Sequence, residues 1–177
     1  MPANPACRDD DRMTTATTGR ASIEIAAAPD EVYDILADIT SIGERSPECY
    51  HCEWLGGATS AVPGARFRGS NRLGILRWTT TCTITAAERG REFAFTVMSR
   101  HGREETRWRY VLDPTDSGTR LTESYEFLWC PRAARIAEIP FPRDKQLRRG
   151  LNQTLAKIRQ AAEANPQATA TQDRVST

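Results

Sequence analysis

Residues 21–27, ASIEIAA, alternate apolar and polar side chains and predict a strand. Ala28-Pro29-Asp30 then opens a helix. Proline suits its first turn, Asp30 and Glu31 sit at its positive end, and Val32, Ile35 and Leu36 share one face. A short second helix or turn is expected near Ile39–Glu44, and Pro47 forces Ser46 into an extended or turn conformation. From there the period changes to two. CYHCEWL (49–55) is a strand candidate, Pro63-Gly64 marks a turn, and ARFRGSN (65–71) sets Phe67, Gly69 and Asn71 against Arg66, Arg68 and Ser70. Gly74 is the expected hairpin turn before LRWTTTCTITA (76–86), which places Leu76, Trp78, Cys82 and Ile84 on one face. REFAFTVM (91–98), REETRWRYVL (103–112) and TRLTESYEFLW (119–129) alternate in the same way. Such alternation implies an antiparallel sheet with one covered and one wet face.

The covering element is the only long helical pattern, DKQLRRGLNQTLAKIRQAAEA (144–164). Leu147, Leu151, Leu155, Ile158 and Ala162 form one stripe on it, flanked by Thr154 and Ala161. Strand, short helices, about six antiparallel strands and a long helix together imply an α+β fold, a curved sheet gripping a C-terminal helix. One domain is expected over residues 20–164. Residues 1–19 and 165–177, rich in Pro, Thr, Asp and Gln, read as disordered tails.

Composition narrows the function. A formal net charge of +1 gives no general attraction to nucleic acid or anionic membrane. Arginines alternate along the strands (Arg66, Arg68, Arg72, Arg77, Arg103, Arg107, Arg109), but Glu105 and Glu126 interrupt them, so a charged solvated face is expected and nucleic-acid binding is not. No apolar run approaches the ~20 residues of a spanning helix, so no membrane insertion is expected. The N-terminal stretch lacks the apolar core of a secretory signal, and the expected location is cytoplasmic. Neither a phosphate-cradling glycine loop nor a dinucleotide fingerprint is present, and no cofactor is expected.

Five cysteines suit reduced thiols acting as small hydrophobes better than a disulfide scaffold. Cys49 and Cys52 have C-x-x-C spacing. A zinc site needs four convergent ligands, and His101, Cys82 and Cys130 lie in separate segments, so no metal is expected. In a regular strand the two cysteines have opposite parity and point to opposite faces. A thioredoxin-type pair wants its first cysteine at a helix N-terminus, which this stretch does not provide. The reading is a strand start with one cysteine lining the core.

The informative residues are polar ones of inward parity: Asn71 after Phe67 and Gly69, Thr106 before Trp108 and Tyr110, and Glu123 between Leu121 and Tyr125. A carboxylate on the covered face is costly unless it is paired, wet or facing a ligand. Three readings stay open for Glu123: a bulge that returns it to solvent, a structural pairing with an arginine or Tyr110, or a ligand-facing acid–base role. Asn71 serves equally as a residue ahead of the Gly74 turn. The aromatics make an apolar pocket plausible, since small-molecule sites are apolar with a few placed polar groups. The proline-bounded segment 131–144 carries Ile136, Ile139 and Phe141 and suits either a lid or a core-completing connector.

SIEIAAAPDEVYDILADI, RSPEC, PGARFRGSNRLGILRW and WRYVLDPTDSGTRLTESYEF, with the closing amphipathic helix, resemble the START-like helix-grip (SRPBCC) superfamily over about residues 20–163. The branch they look closest to is that of the polyketide cyclases/dehydrases. The resemblance implies a hydrophobic cavity between sheet and helix that holds lipids, sterols or polyketides in relatives. Some relatives are aromatase/cyclases and others carriers or co-chaperones. It places Phe67, Asn71, Trp78, Phe95, Trp108, Tyr110, Glu123 and Tyr125 on the inner wall, with Leu151 and Thr154 from the helix. Many relatives carry tryptophan where this chain has Arg45, which sets a cation near the cavity mouth or, equally, in a solvated loop.

Fold does not license catalysis. The leading expectation is a protein that binds a hydrophobic or amphipathic small molecule. The alternative is a cyclase, dehydratase or aromatase in which Glu123 abstracts a carbon-bound proton while Tyr110 or Arg45 stabilises the enolate oxygen. A third is a non-catalytic module for a protein partner. Self-association stays open.

Overall fold

The structure, a computed structural model, describes residues 18–99, 101–128 and 143–164. The expected lid is outside this range up to residue 142, as are the two tails apart from Thr18 and Gly19. Strand β1 (Thr18–Ile25) leads into α1 (Pro29–Ala37), a 3-10 turn (Ile39–Ser41) and α2 (Ile42–Arg45). Six strands follow: β2 (Cys49–Leu55), β3 (Arg66–Leu73), β4 (Leu76–Glu88), β5 (Glu92–Met98), β6 (Glu104–Thr115) and β7 (Gly118–Phe127). Helix α3 (Arg143–Glu163) is the last element among the described residues.

The seven strands make one antiparallel sheet in the order β1-β7-β6-β5-β4-β3-β2. Helix α3 lies across its covered face and touches β1, β7, α1 and α2. All five stripe residues of α3 are buried, from Leu147 to Ala162. This is the helix-grip arrangement that alternation and the terminal stripe predicted. On the other face the arginines pair across strands: Arg68 with Glu53 at 3.0 Å, Arg109 with Glu92 at 2.8 Å and Arg120 with Glu24 at 2.7 Å. These arginines are neutralised locally, and each such exposed pair is worth about 1 kcal/mol or less.

Helix α1 starts where proline and acids place it. The Glu31 carboxylate accepts from the Ala28 N–H at 3.1 Å, and Val32, Tyr33 and Leu36 are buried. Tyr33, not singled out in the pattern, meets Phe93 edge to face at 6.3 Å. Gly74 turns the β3–β4 hairpin with φ 57°. Leu76 does not join the core as its parity suggested: the hairpin tip overhangs the sheet, and Leu76 and Ile75 are exposed.

The largest departure from simple parity is in β2. The ladder with β3 shifts between Cys49 and His51, so Tyr50 is an extra, bulged residue. Its ring turns outward beneath Arg72, whose guanidinium carbon lies 5.8 Å from the ring centroid. Its carbonyl is covered by Gly43 of α2, where any Cβ would lie 2.3 Å from that oxygen. Removing one residue from the count restores common parity to Cys49 and Cys52. Contrary to the opposite-face expectation, both face the covered side, with their sulfurs 3.3 Å apart.

Candidate functional site

A cavity of about 310 Å³ lies between the covered face of the sheet, α2 and α3. Phe67, Phe93 and Phe95 form an aromatic floor, with Phe67 and Phe95 edge to face at 5.3 Å. Leu147, Leu151, Thr154 and Ile158 of α3 form the opposite wall, and Ser46, Pro47 and Glu48 stand at the α2 end. The volume falls near the lower end of the ~300–1,000 Å³ typical of small-molecule sites. Cavity and helix stripe coexist because Leu155, Ile158 and Ala162 join the main core, whereas Leu147 and Leu151 form a separate cluster with Tyr125.

Of the residues predicted for the wall, Phe67, Asn71, Trp78, Phe95, Thr106, Trp108, Tyr110, Glu123, Leu151 and Thr154 all border this cavity, and Arg45 borders it as well. Tyr125 does not. Although its parity is inward, its ring folds over Gly19 of the neighbouring strand, where a Cβ would lie 2.3 Å from the ring. The absent side chain at Gly19 leaves room for Tyr125 to the side, where its ring meets Trp108 at a tilt at 5.4 Å and Phe127 edge to face at 5.5 Å. Leu36, Ile42, Cys49, Cys52, Cys82 and Phe93 also line the cavity although the sequence reading left them out of the site. Periodicity marked Cys82 as inward, but nothing in it separated core from cavity wall.

Glu123 stays on the covered face: no bulge interrupts the β6–β7 or β1–β7 ladders, and the residue is 2% exposed. Tyr110, directly opposite it on β6, donates its hydroxyl to Glu123 Oε1 at 2.7 Å. Among the described residues, Oε2 has no hydrogen-bond partner. Burial pushes the carboxyl up to about 8, only partly offset by the Tyr110 hydrogen bond. Tyr110 is itself driven well above the ordinary phenol range, by burial first and the nearby carboxyl second. At neutral pH the pair is therefore an uncharged phenol donating to an uncharged carboxylic acid. The acid's own proton falls on Oε2, the oxygen without a partner.

Arg45 is buried (8% exposed), not a solvated loop residue. Nη1 donates to Ser41 Oγ at 2.7 Å, and Nη2 donates to the carbonyls of Ile35 at 2.7 Å and Asp38 at 3.0 Å. Its guanidinium thus closes the C-terminal end of α1, where carbonyls lack helical partners. Desolvation lowers its pKa, partly offset by Asp38. Asn71 is held in place too, its amide nitrogen donating to Gly69 O and Thr80 Oγ1, each at 3.2 Å. No cluster of three or more His, Cys, Asp or Glu suited to a metal occurs among the described residues.

A family profile described as polyketide cyclase / dehydrase and lipid transport matches residues 16–163. The chain belongs to that family. A Polyketide_cyc-like protein from Corynebacterium glutamicum is 32% identical, covering 92% of this chain and 93% of its own, with a TM-score of 0.48. A protein from Chromobacterium violaceum superposes with a TM-score of 0.60 at 18% identity, covering 84% of this chain and 99% of its own. The di-domain ARO/CYC protein StfQ of the steffimycin biosynthetic pathway reaches 0.62 at 14% identity, covering 91% of this chain and 52% of its own. At such identities the last two show a shared fold. Comparison with curated proteins gave no match. The family's fold typically houses hydrophobic, lipid-like ligands. Among the described residues, no helix is long and apolar enough to cross a membrane.

Proposed function

We propose that this family member binds one hydrophobic or amphipathic molecule, lipid- or polyketide-like, in the cavity between sheet and α3. The observation that carries the reading is Glu123: a cavity-lining carboxylic acid, neutral at pH 7, with one oxygen unpartnered. An apolar wall accepts the carbon skeleton. A single buried O–H donor selects a molecule with a carbonyl, hydroxyl or ether oxygen at one point. An unmatched buried donor costs about 1–3 kcal/mol, so a ligand that satisfies it gains selectivity over a pure hydrocarbon. The modest volume favours a compact ring system or short chain over a long lipid.

Thr154→Trp tests the reading. Thr154 is half-buried on α3 and borders the cavity, so an indole there occupies the space a ligand needs. Binding of the neutral fluorophore N-phenyl-1-naphthylamine is expected to weaken about tenfold or more, roughly 1.4 kcal/mol, while the melting temperature stays near that of the parent. Equal affinity in both proteins would remove the cavity as the binding site.

A catalytic reading is favoured by the same carboxyl, poised near the pH where general acids work. Its protonated state suits delivery of a proton to a leaving hydroxyl or a carbonyl oxygen, as in a dehydration or cyclisation, better than the proton abstraction expected from sequence. Arg45 is poorly placed as the oxyanion partner because Ser41, Ile35 and Asp38 already hold its terminal nitrogens. Tyr110 commits its single O–H to Glu123 Oε1, so its part is to position the acid. In that reading Glu123→Gln lowers turnover of a bound substrate by about a hundredfold or more while leaving its affinity within a few fold. Unchanged turnover would limit the site to binding.

A further inference from the structure

The bulge at Tyr50 assembles a second chemical feature in the cavity wall. Cys49 and Cys52 are both reduced, border the cavity, and hold their sulfurs 3.3 Å apart. Space for the pair comes from Gly69, opposite Cys52 on β3, where a Cβ would stand 3.4 Å from Cys49 Sγ. The backbone at Cys49 is fixed by its N–H, which donates to Ser46 Oγ at 3.0 Å. We propose that Cys49 and Cys52 are a redox dithiol that a hydroperoxide entering the cavity oxidises to an intramolecular disulfide.

The two sulfurs have different roles. Cys49 is the more accessible, half-buried where Cys52 is buried. The hydrogen bond shared with Cys52 lowers its pKa, burial works against this, and backbone groups of His51 and Ser70 add to the lowering. Cys52 is held protonated by its bond to Cys49 and by burial, with Arg45 pulling weakly the other way. In the first step the Cys49 thiolate takes the outer oxygen of the hydroperoxide. The O–O bond breaks, the alkoxide leaves and takes up a proton, and Cys49 becomes a sulfenic acid. In the second, Cys52 sulfur attacks Cys49 sulfur and loses its proton. The S–O bond breaks, and the departing hydroxide leaves as water. Two thiols and one hydroperoxide give one disulfide, one alcohol and one water, with two electrons passing from sulfur to oxygen. Relative to a bond length of about 2.05 Å, the sulfurs need to approach by only about 1.2 Å. Cys82 borders the same cavity, but burial pushes its thiol up to about 12, so it is a poor competitor as a nucleophile.

The test oxidises the reduced full chain with stoichiometric hydrogen peroxide and, separately, cumene hydroperoxide, then alkylates with N-ethylmaleimide and maps peptides by mass spectrometry. Two of the five cysteines are expected to escape alkylation, both within the 49–52 peptide, which becomes about 2 Da lighter. Cys52→Ser is expected to stop at a Cys49 sulfenic acid captured by dimedone, and Cys49→Ser to leave Cys52 alkylatable. Full alkylation of the wild-type chain at a dose that oxidises free glutathione overturns the proposal, as does a disulfide involving Cys7, Cys82 or Cys130. Mapping on the wild-type chain needs no variant, so the result stands even if a substitution harms folding.

Discussion

Replacing Glu123 with glutamine is expected to make the protein more stable at neutral pH and to remove a steep decline in stability with rising pH. Burial holds the native carboxyl at about 8, whereas the unperturbed group titrates near 4.5. Between those values the native state keeps a proton that the unfolded state has released, so unfolding becomes easier as pH rises. The contribution of the neutral acid is complete below pH 4.5 and is lost progressively up to about 8. The slope approaches 1.4 kcal/mol per pH unit, for a total on the order of 5 kcal/mol. Glutamine keeps the size and still accepts from Tyr110 but does not ionise. Urea unfolding at several pH values should show the wild type weakening from acid to neutral pH relative to the variant. Near pH 7 the variant should be ahead by roughly 3 kcal/mol. Parallel stability curves for the two proteins would place Glu123 in contact with water and return it to an ordinary carboxylate.

The second large effect is structural and concerns how β1 is locked to the sheet. Gly118 opens β7 with φ 142°, and a Cβ there would lie 2.2 Å from the Ile25 carbonyl oxygen and 2.9 Å from the Ala27 nitrogen. Both obstacles are backbone, so nothing flexible can yield. The next residue, Thr119, donates its hydroxyl to Ala27 O at 2.7 Å in the buried junction between β1 and α1. Gly118→Ala is expected to destabilise the fold by about 3 kcal/mol, combining backbone strain with separation of that junction. In a domain this size the melting temperature should fall by about 6–12 °C. Gly102→Ala is the control: Gly102 has φ 72° but no neighbour within 4 Å of its Cβ position. Its cost is the conformational one alone, about 1 kcal/mol. Similar losses for the two variants would mean that the close approach at Gly118 is not what secures β1.

Helix α3 and the uninterrupted stretches of the strands were legible because each obeys one period. The stripe from Leu147 to Ala162 is buried as read, and the alternation of β5 to β7 places Glu123, Tyr110 and Thr106 on the covered face. Legibility failed where one residue depends on another far along the chain. The Tyr50 bulge needs Gly43 of α2 to admit its carbonyl, and a parity count through CYHC cannot register that contact. Tyr125 has inward parity but leaves the cavity because Gly19, on the adjacent strand, offers room for its ring. Arg45, expected either near the cavity mouth or in a solvated loop, does border the cavity, but its partners are carbonyls and a hydroxyl presented by the end of α1, which sequence separation conceals. Periodicity assigns a face, while the choice between solid core and cavity wall rests on how side chains of several elements share space. Phe93 is both core and cavity floor for that reason.

Native mass spectrometry of the gently purified full chain, with collisional release of whatever it carries, addresses the enclosed binding space most directly. Under the proposed function, one apolar molecule per chain, bearing at least one oxygen, is expected to be retained by wild type and absent from Thr154→Trp. A wild-type chain that flies at its bare mass, and takes up no fatty acid or aromatic ketone supplied in excess, would contradict the account.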